Sequence, residues 1–360
     1  MILFTTILLI LIVIFLFLNK RKITLGLWSI TTFNSSTYIT KIPEKEKFVS
    51  PCLTAKDVND VPAEFVADPF IIAHNSTVYM FFEILDKISG KGIIGLASSE
   101  NGQNWKYHKV VLREEFHLSY PYVFEFDNEF YMIPETCEKN KILLYKAKKF
   151  PYQWSLVSEL LTGSYVDSSI FRFNNMWWMF AGKSGKLHLF FSEKLEKGWV
   201  EHPKSPMITN NKRITRPGGR VIVENGNIFR YTQDGFPNYG SAVNVFKINK
   251  LTDDEYEEEQ INLVLSGTKK ENDWNRDGMH TIDQLKLGDN NWLIVVDGHK
   301  FETKNHLLWR MGRLSAKTFS LFGYKKQMRV CLIKCIGIQR IIDDNKNYSC
   351  NSAEINTKEN

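Results

Sequence analysis

The chain has 360 residues, 43% of them hydrophobic and 13% aromatic, with a net charge of +6. That length and apolar content allow one large core or two ordinary ones. No Lys/Arg block dominates the middle of the chain, so nucleic-acid binding is not indicated.

The first element is an uncharged apolar run, Ile2 to Leu18 (ILFTTILLILIVIFLFL), closed by Asn19-Lys20-Arg21-Lys22. At about 1.5 Å per residue it reaches about 25 Å, the lower limit for crossing a bilayer core. No basic residue precedes it and no small-residue cleavage site follows, so it reads as an uncleaved anchor rather than a signal peptide. Residues 1–22 are therefore expected to form a transmembrane helix, and residues 23–55 a linker and lead-in segment. The positive flank places the main domain in the cytosol by the positive-inside rule. Asn-x-Ser/Thr sequons at Asn34, Asn75 and Asn347 argue the other way, for a single-pass protein of the secretory pathway or Golgi lumen. Cys52, Cys137, Cys331, Cys335 and Cys350 show neither a disulfide framework nor zinc spacing.

A repeat follows. ADPFIIAHNSTVYMFFE (67–83) is echoed by SYPYVFEFDNEFYMIPE (119–135) and VDSSIFRFNNMWWMFAG (166–182). More degenerate copies are TRPGGRVIVENGNIFRYTQD (215–234) and MHTIDQLKLGDNNWLIVVDG (279–298). Each copy reads as two strands joined by a tight turn, at HNST, FDNE, FNNM, ENGN and GDNN, where Asn, Asp and Gly tolerate positive φ. Further apolar runs, such as IIGLASS and WKYHKVVL, raise each unit to four strands. Five such units over residues 56–320 predict an all-β, five-bladed β-propeller preceded by the N-terminal helix. Most of the matching letters serve that architecture.

The first polar residues of the copies are Asp68, Tyr120, Asp167, Arg216 and His280. A radial fold sets them around one axis, where a wet funnel forms a small-molecule site. Glu83 and Glu135 end second strands, His117 precedes Tyr120, Arg220 follows Arg216, and Asp283 follows His280. Glycoside chemistry needs one carboxyl to protonate the leaving oxygen and another to activate water or attack the anomeric carbon. Asp68, Asp167 and Glu135 are the candidate catalysts, with Glu83 a second candidate acid. Glu83, His117, Tyr120, Arg216, Arg220, His280 and Asp283 are the candidate substrate-binding residues. Arg216 and Arg220 alternatively clamp a phosphate or carboxylate. No metal-binding loop and no cofactor motif is evident.

ADPF, FFE, GKGIIGLASS, HLSYPYVF, YMIPE, DSSIF and TRPGGR together resemble the N-terminal propeller domain of glucosamine inositolphosphorylceramide transferases and its bacterial relatives, over roughly residues 60–300. More distantly, the Asp-Pro start resembles the clan of glycoside hydrolase families 43 and 32. That likeness implies a catalytic Asp at the start of blade one, matched by Asp68, a second acid matched by Asp167, and a Glu acid. At the start of blade four, however, Arg216 stands in place of a Glu. The plant transferases carry a separate glycosyltransferase domain, for which residues 301–360 are too short. A membrane-anchored propeller that hydrolyses or transfers a glycosyl unit of a glycan or glycolipid is the leading expectation. A non-catalytic glycan-binding propeller serving a partner glycosyltransferase is the alternative. Residues 321–342 read as a basic amphipathic segment and 343–360 as a disordered tail.

Overall fold

The computed structural model describes residues 2–18, 21–48, 50–211 and 213–315. The expected basic segment and tail, with Cys331, Cys335, Cys350 and Asn347, lie outside the described residues. The chain divides into two units, Lys22–Lys304 and a second made of Met1–Arg21 with Asn305–Asn360. In the second unit, the helix Ile2–Leu18 exposes Leu3, Phe4, Phe15 and Phe17. It has 17 residues, whereas a span needs about 20. Among the described residues no helix is long and apolar enough to cross a membrane. The expected transmembrane helix is thus corrected to a short, exposed apolar helix.

The first unit is the five-bladed propeller. Blade one pairs Ala63–His74, Thr77–Asp86, Gly92–Ser99 and Lys106–Leu112, from the innermost strand outward. Blade two pairs Ser119–Phe126, Glu129–Glu135, Lys141–Lys149 and Gln153–Thr162 in the same way. Blade three begins with Val166–Phe173 and Met176–Lys183. In blade four Arg216–Pro217 and Ile222–Glu224 both pair with Asn227–Asp234. Among the described residues blade five has three strands rather than four: Ile282–Gly288, Asn291–Asn305 and, beside the latter, Lys22–Ser35. The stretch expected to be linker therefore closes the ring. Pairing the first strand with the last satisfies edges that would otherwise stay open.

The local sequence explains each hairpin. Asn75-Ser76, Asp127-Asn128, Asn174-Asn175 and Asn225-Gly226 all take positive φ, the paired left-handed residues of a two-residue turn. Alternate strand residues then face the neighbouring blades. Ile30, Leu293 and Val295 of blade five pack with Ile71, Met80 and Phe82 of blade one. Phe70 and Phe81 join Tyr122, Val123, Ile170 and Met179 across blades one to three. Phe171 and Phe180 meet Val221, Ile228 and Ile248 between blades three and four. Tyr231 and Val243 meet Ile282 and Ile294 between blades four and five. Each such buried side chain contributes about 1.5–3 kcal/mol, so blade-to-blade burial holds the circle shut.

Candidate functional site

A repeated backbone device sets the site. The inner strands of blades one, two and three break register between Ala67 and Phe70, Ser119 and Tyr122, and Val166 and Ser169. Within these bulges Asp68, Tyr120 and Asp167 take φ values of 52°, 45° and 52°. A bulge re-aims the residue it carries, and the left-handed region costs Asp less than most residues. A second ring lies beside the first. Glu83, Glu135, Gly182 and Gln233 pair with Ala67, Ser119, Val166 and Arg216. The glycine of this ring leaves room for blade four, since a Cβ there would stand 3.2 Å from Thr215 O.

Asp68 is buried and bonded on every side. Its Oδ1 accepts from Thr281 Oγ1 (2.7 Å), and its Oδ2 accepts from Tyr120 N (3.2 Å). Its own N–H donates to Asp297 Oδ2 (2.9 Å). His280 stands between two carboxylates, with Nδ1 2.8 Å from Asp297 Oδ2 and Nε2 3.5 Å from Asp68 Oδ1. Burial works against its charge, but Asp297 and Asp68 outweigh it and lift the imidazole above its ordinary value. For Asp68, burial dominates over the opposing pull of His280 and moves the carboxyl from 3.8 up to about 6.

Across the funnel, Arg216 Nε and Nη2 grip both oxygens of Asp167, and Nη2 also reaches Glu135 Oε2 at 3.3 Å. Gln233 Nε2 donates to Asp167 Oδ2 at 2.6 Å. Tyr239 covers the guanidinium, its ring centroid 5.1 Å from Cζ, while remaining half exposed. Burial first, and then the charge of Asp167, raise the Glu135 carboxyl from 4.5 to about 8. Burial likewise raises Glu83, reinforced by Asp68 and Glu135. His117 Nδ1 accepts the Gly92 N–H (2.9 Å), so its proton sits on Nε2, 3.4 Å from Glu83 Oε1. Gly92 is needed there, because a Cβ would lie 2.2 Å from Leu118 O and 2.7 Å from Glu83 Oε1.

The profile described as glucosamine inositolphosphorylceramide transferase 1, N-terminal, matches residues 34–299. The chain belongs to that family. It is 36% identical to glucosamine inositolphosphorylceramide transferase 1 of Oryza sativa subsp. japonica, covering 76% of this chain and 39% of the relative. Against the Arabidopsis thaliana protein of the same name it is 31% identical, over 79% of this chain and 40% of that one. The chain thus spans about two fifths of the curated relatives it matches. Among solved structures, a glycoside hydrolase candidate from Parabacteroides distasonis superposes with a TM-score of 0.55 at 10% identity, covering 73% of this chain and 97% of that one. A glycosyl hydrolase from Bacteroides ovatus gives 0.50 at 10% identity, over 72% and 93%. At such identity these two establish the propeller fold alone.

In this member of the family the expected ring and its flanking residues separate into two groups. Asp68, Asp167, Glu83, Glu135, Arg216 and His280 converge, with His117 against Glu83. The phenol of Tyr120 instead turns into the core, packing edge-on to Phe70 and bonding Ser169 Oγ at 2.9 Å. Arg220 and Asp283 bond each other, Nε to Oδ1 at 2.7 Å and Nη2 to Oδ2 at 3.1 Å. The same Nη2 donates to Val123 O (2.9 Å), and Ile71 N donates to Asp283 Oδ2 (2.7 Å). Thr281 and Tyr239 lie outside the sequence-derived set, while the sequence sets Gln233 and Asp297, which end the second strands of their copies, beside the ring without a role. Asp68, His280 and Asp297 offer donor atoms within 4.8 Å of one another, the composition of a small cation site. Asp297 Oδ1 also accepts the N–H groups of His280 and Thr281.

Proposed function

We propose that this chain is a carbohydrate-active propeller that hydrolyses or transfers a glycosyl unit of a glycan or glycolipid at the mouth of its central channel. One observation carries the reading: Asp68 and Glu135 converge in one buried cluster, where burial lifts the first carboxyl to about 6 and the second to about 8. Between those values one is ionised and the other protonated, the division that glycoside chemistry needs. Asp68 takes the proton of the incoming water or alcohol while Glu135 gives its proton to the leaving oxygen. Asp167 holds Arg216 and keeps Glu135 protonated. The test is product analysis on a glycan and glycolipid array, comparing the wild type with Asp68→Asn and Glu135→Gln. Turnover that survives both substitutions on every substrate found removes the catalytic assignment.

A second reading, a non-catalytic glycan-binding propeller serving a partner glycosyltransferase, is favoured by the occupied state of Asp68, whose two oxygens already accept hydrogen bonds. Array ligands retained and released intact would select it. We further propose membrane attachment through Ile2–Leu18, supported by its exposed Leu and Phe side chains, and residence in the secretory pathway or Golgi lumen. Asn34 and Asn75 are exposed and open to glycosylation. Alkaline carbonate extraction and glycosidase-sensitive mobility test these two statements.

A further inference from the structure

The floor of the funnel gathers Asp68, Glu83, Glu135, Asp167 and Asp297, with His280 and Arg216 as the cations among them. Both cations are already paired. Arg216 lies on Asp167 and Glu135, and His280 lies between Asp297 and Asp68. Arg220, which an anion clamp would also use, is locked on Asp283. Two buried oxygens lack a hydrogen bond: Gln233 Oε1, on a side chain 2% exposed, and Glu83 Oε1, which faces only the His117 Nε2 at 3.4 Å. Gln233 holds Asp167 through its Nε2, so its open oxygen belongs to the same cluster. A buried acceptor left unpaired costs about 1–3 kcal/mol, and a ligand that donates hydrogen bonds relieves it.

We infer that the funnel floor is an anion-excluding site that takes a hydrogen-bond-donating glycosyl group bearing no negative charge. This deepens the carbohydrate reading above and rests on it. A carboxylate or phosphate entering the floor would meet carboxyl oxygens with no free cation to neutralise it. The upward displacement of Glu135 and Glu83, caused after burial by the neighbouring carboxylates, registers the same negative field. Any anionic part of a larger ligand must then stay outside this cluster.

The experiment titrates the full chain with methyl hexopyranosides differing only at C6, as hydroxymethyl, carboxylate or phosphate, by ligand-observed magnetic resonance. Inorganic phosphate is titrated in parallel by thermal shift. The neutral glycoside is expected to bind about tenfold or more tightly than either anion. Asp167→Asn, which frees Arg216, narrows that gap and makes the protein responsive to phosphate. Glu135→Lys, which adds a cation beside the Arg216–Asp167 pair, serves as the second variant should the Asp167 substitution impair folding. Anionic glycosides binding the wild type as well as the neutral one would overturn the inference and leave the carbohydrate reading standing. If no glycoside binds, phosphate that shifts only the variants supports anion exclusion while the carbohydrate reading falls. Phosphate that shifts wild type and variants alike, or none of them, overturns it.

Discussion

Arg216 and Arg220 leave the same blade four residues apart, yet the clusters they build behave oppositely. Arg220 meets Asp283 fork to fork and also donates to Val123 O and Ile71 O. Blades one, two, four and five are tied there, and neither side chain has a buried polar atom without a partner. Arg216 has more carboxyl partners than it can neutralise. Burial first, and the Asp167 charge after it, lift the Glu135 carboxyl to about 8, and Glu83 and Gln233 each keep an oxygen without a hydrogen bond. A satisfied buried pair specifies the fold, whereas a crowded one with shifted carboxyls is where a functional site is to be sought. The lesson is that an arginine aimed at a channel is not by itself a binding group. What its partners leave unsatisfied decides.

The largest effect should come from breaking the satisfied pair. Arg220→Met leaves Asp283 buried and uncompensated, and a loss of about 3–5 kcal/mol is expected in urea unfolding. A stability within about 1 kcal/mol of the wild type would erase the distinction drawn between the two arginines. The crowded cluster should respond in activity instead. Asp68→Asn is expected to lower turnover about 100- to 10,000-fold with nearly unchanged melting. Asn tolerates the left-handed backbone at that position, and the Thr281 hydroxyl can rotate to accept from the new amide.

Next comes the join between blades four and five. Gly219 has φ +153°, and a Cβ there would lie 1.9 Å from Ile282 O. Gly219→Ala should cost about 1–3 kcal/mol and also loosen the Ser169-to-Gly219 O bond that continues from Tyr120. Normal thermal melting of that variant would show the ring closes without this contact. The smallest effect concerns pH. Glu135 rises from 4.5 to about 8 and Asp68 from 3.8 to about 6 on folding. A raised carboxyl gives stability that is complete below its ordinary value and is lost as pH climbs through the folded value. Wild-type stability should therefore fall between about pH 4.5 and 8, and Glu135→Gln should escape about 1 kcal/mol or more of that loss. Urea midpoints of the two proteins that keep a constant difference from about pH 5 to pH 9 would contradict it.

The fold was legible because its signals are short-range. Asn75, Asn128 and Asn174 mark hairpin turns through the φ values that Asn tolerates, and the copies follow one another at intervals that count the blades. The position of Asp68 and Asp167 at the head of inner strands was legible for the same reason. Lys22–Ser35 escaped notice as a strand of blade five because its partner, Asn291–Asn305, lies at the far end of the chain. The likeness of Arg216 to Arg220 in sequence also hid their different fates.

By itself the sequence determined the repeat, the turns and the residue types set at each blade start, all consequences of backbone preference and alternating apolar pattern. Only closure of the ring decided which polar groups meet. Asp68 takes its partners 52 and 213 residues away, at Tyr120 and Thr281, and Arg216 finds Asp167 49 residues back. Burial and charge at such distances are properties of the assembled channel. They turned Arg220 into a lock, sent the Tyr120 phenol into the core, and left Glu135 holding a proton beside Asp68.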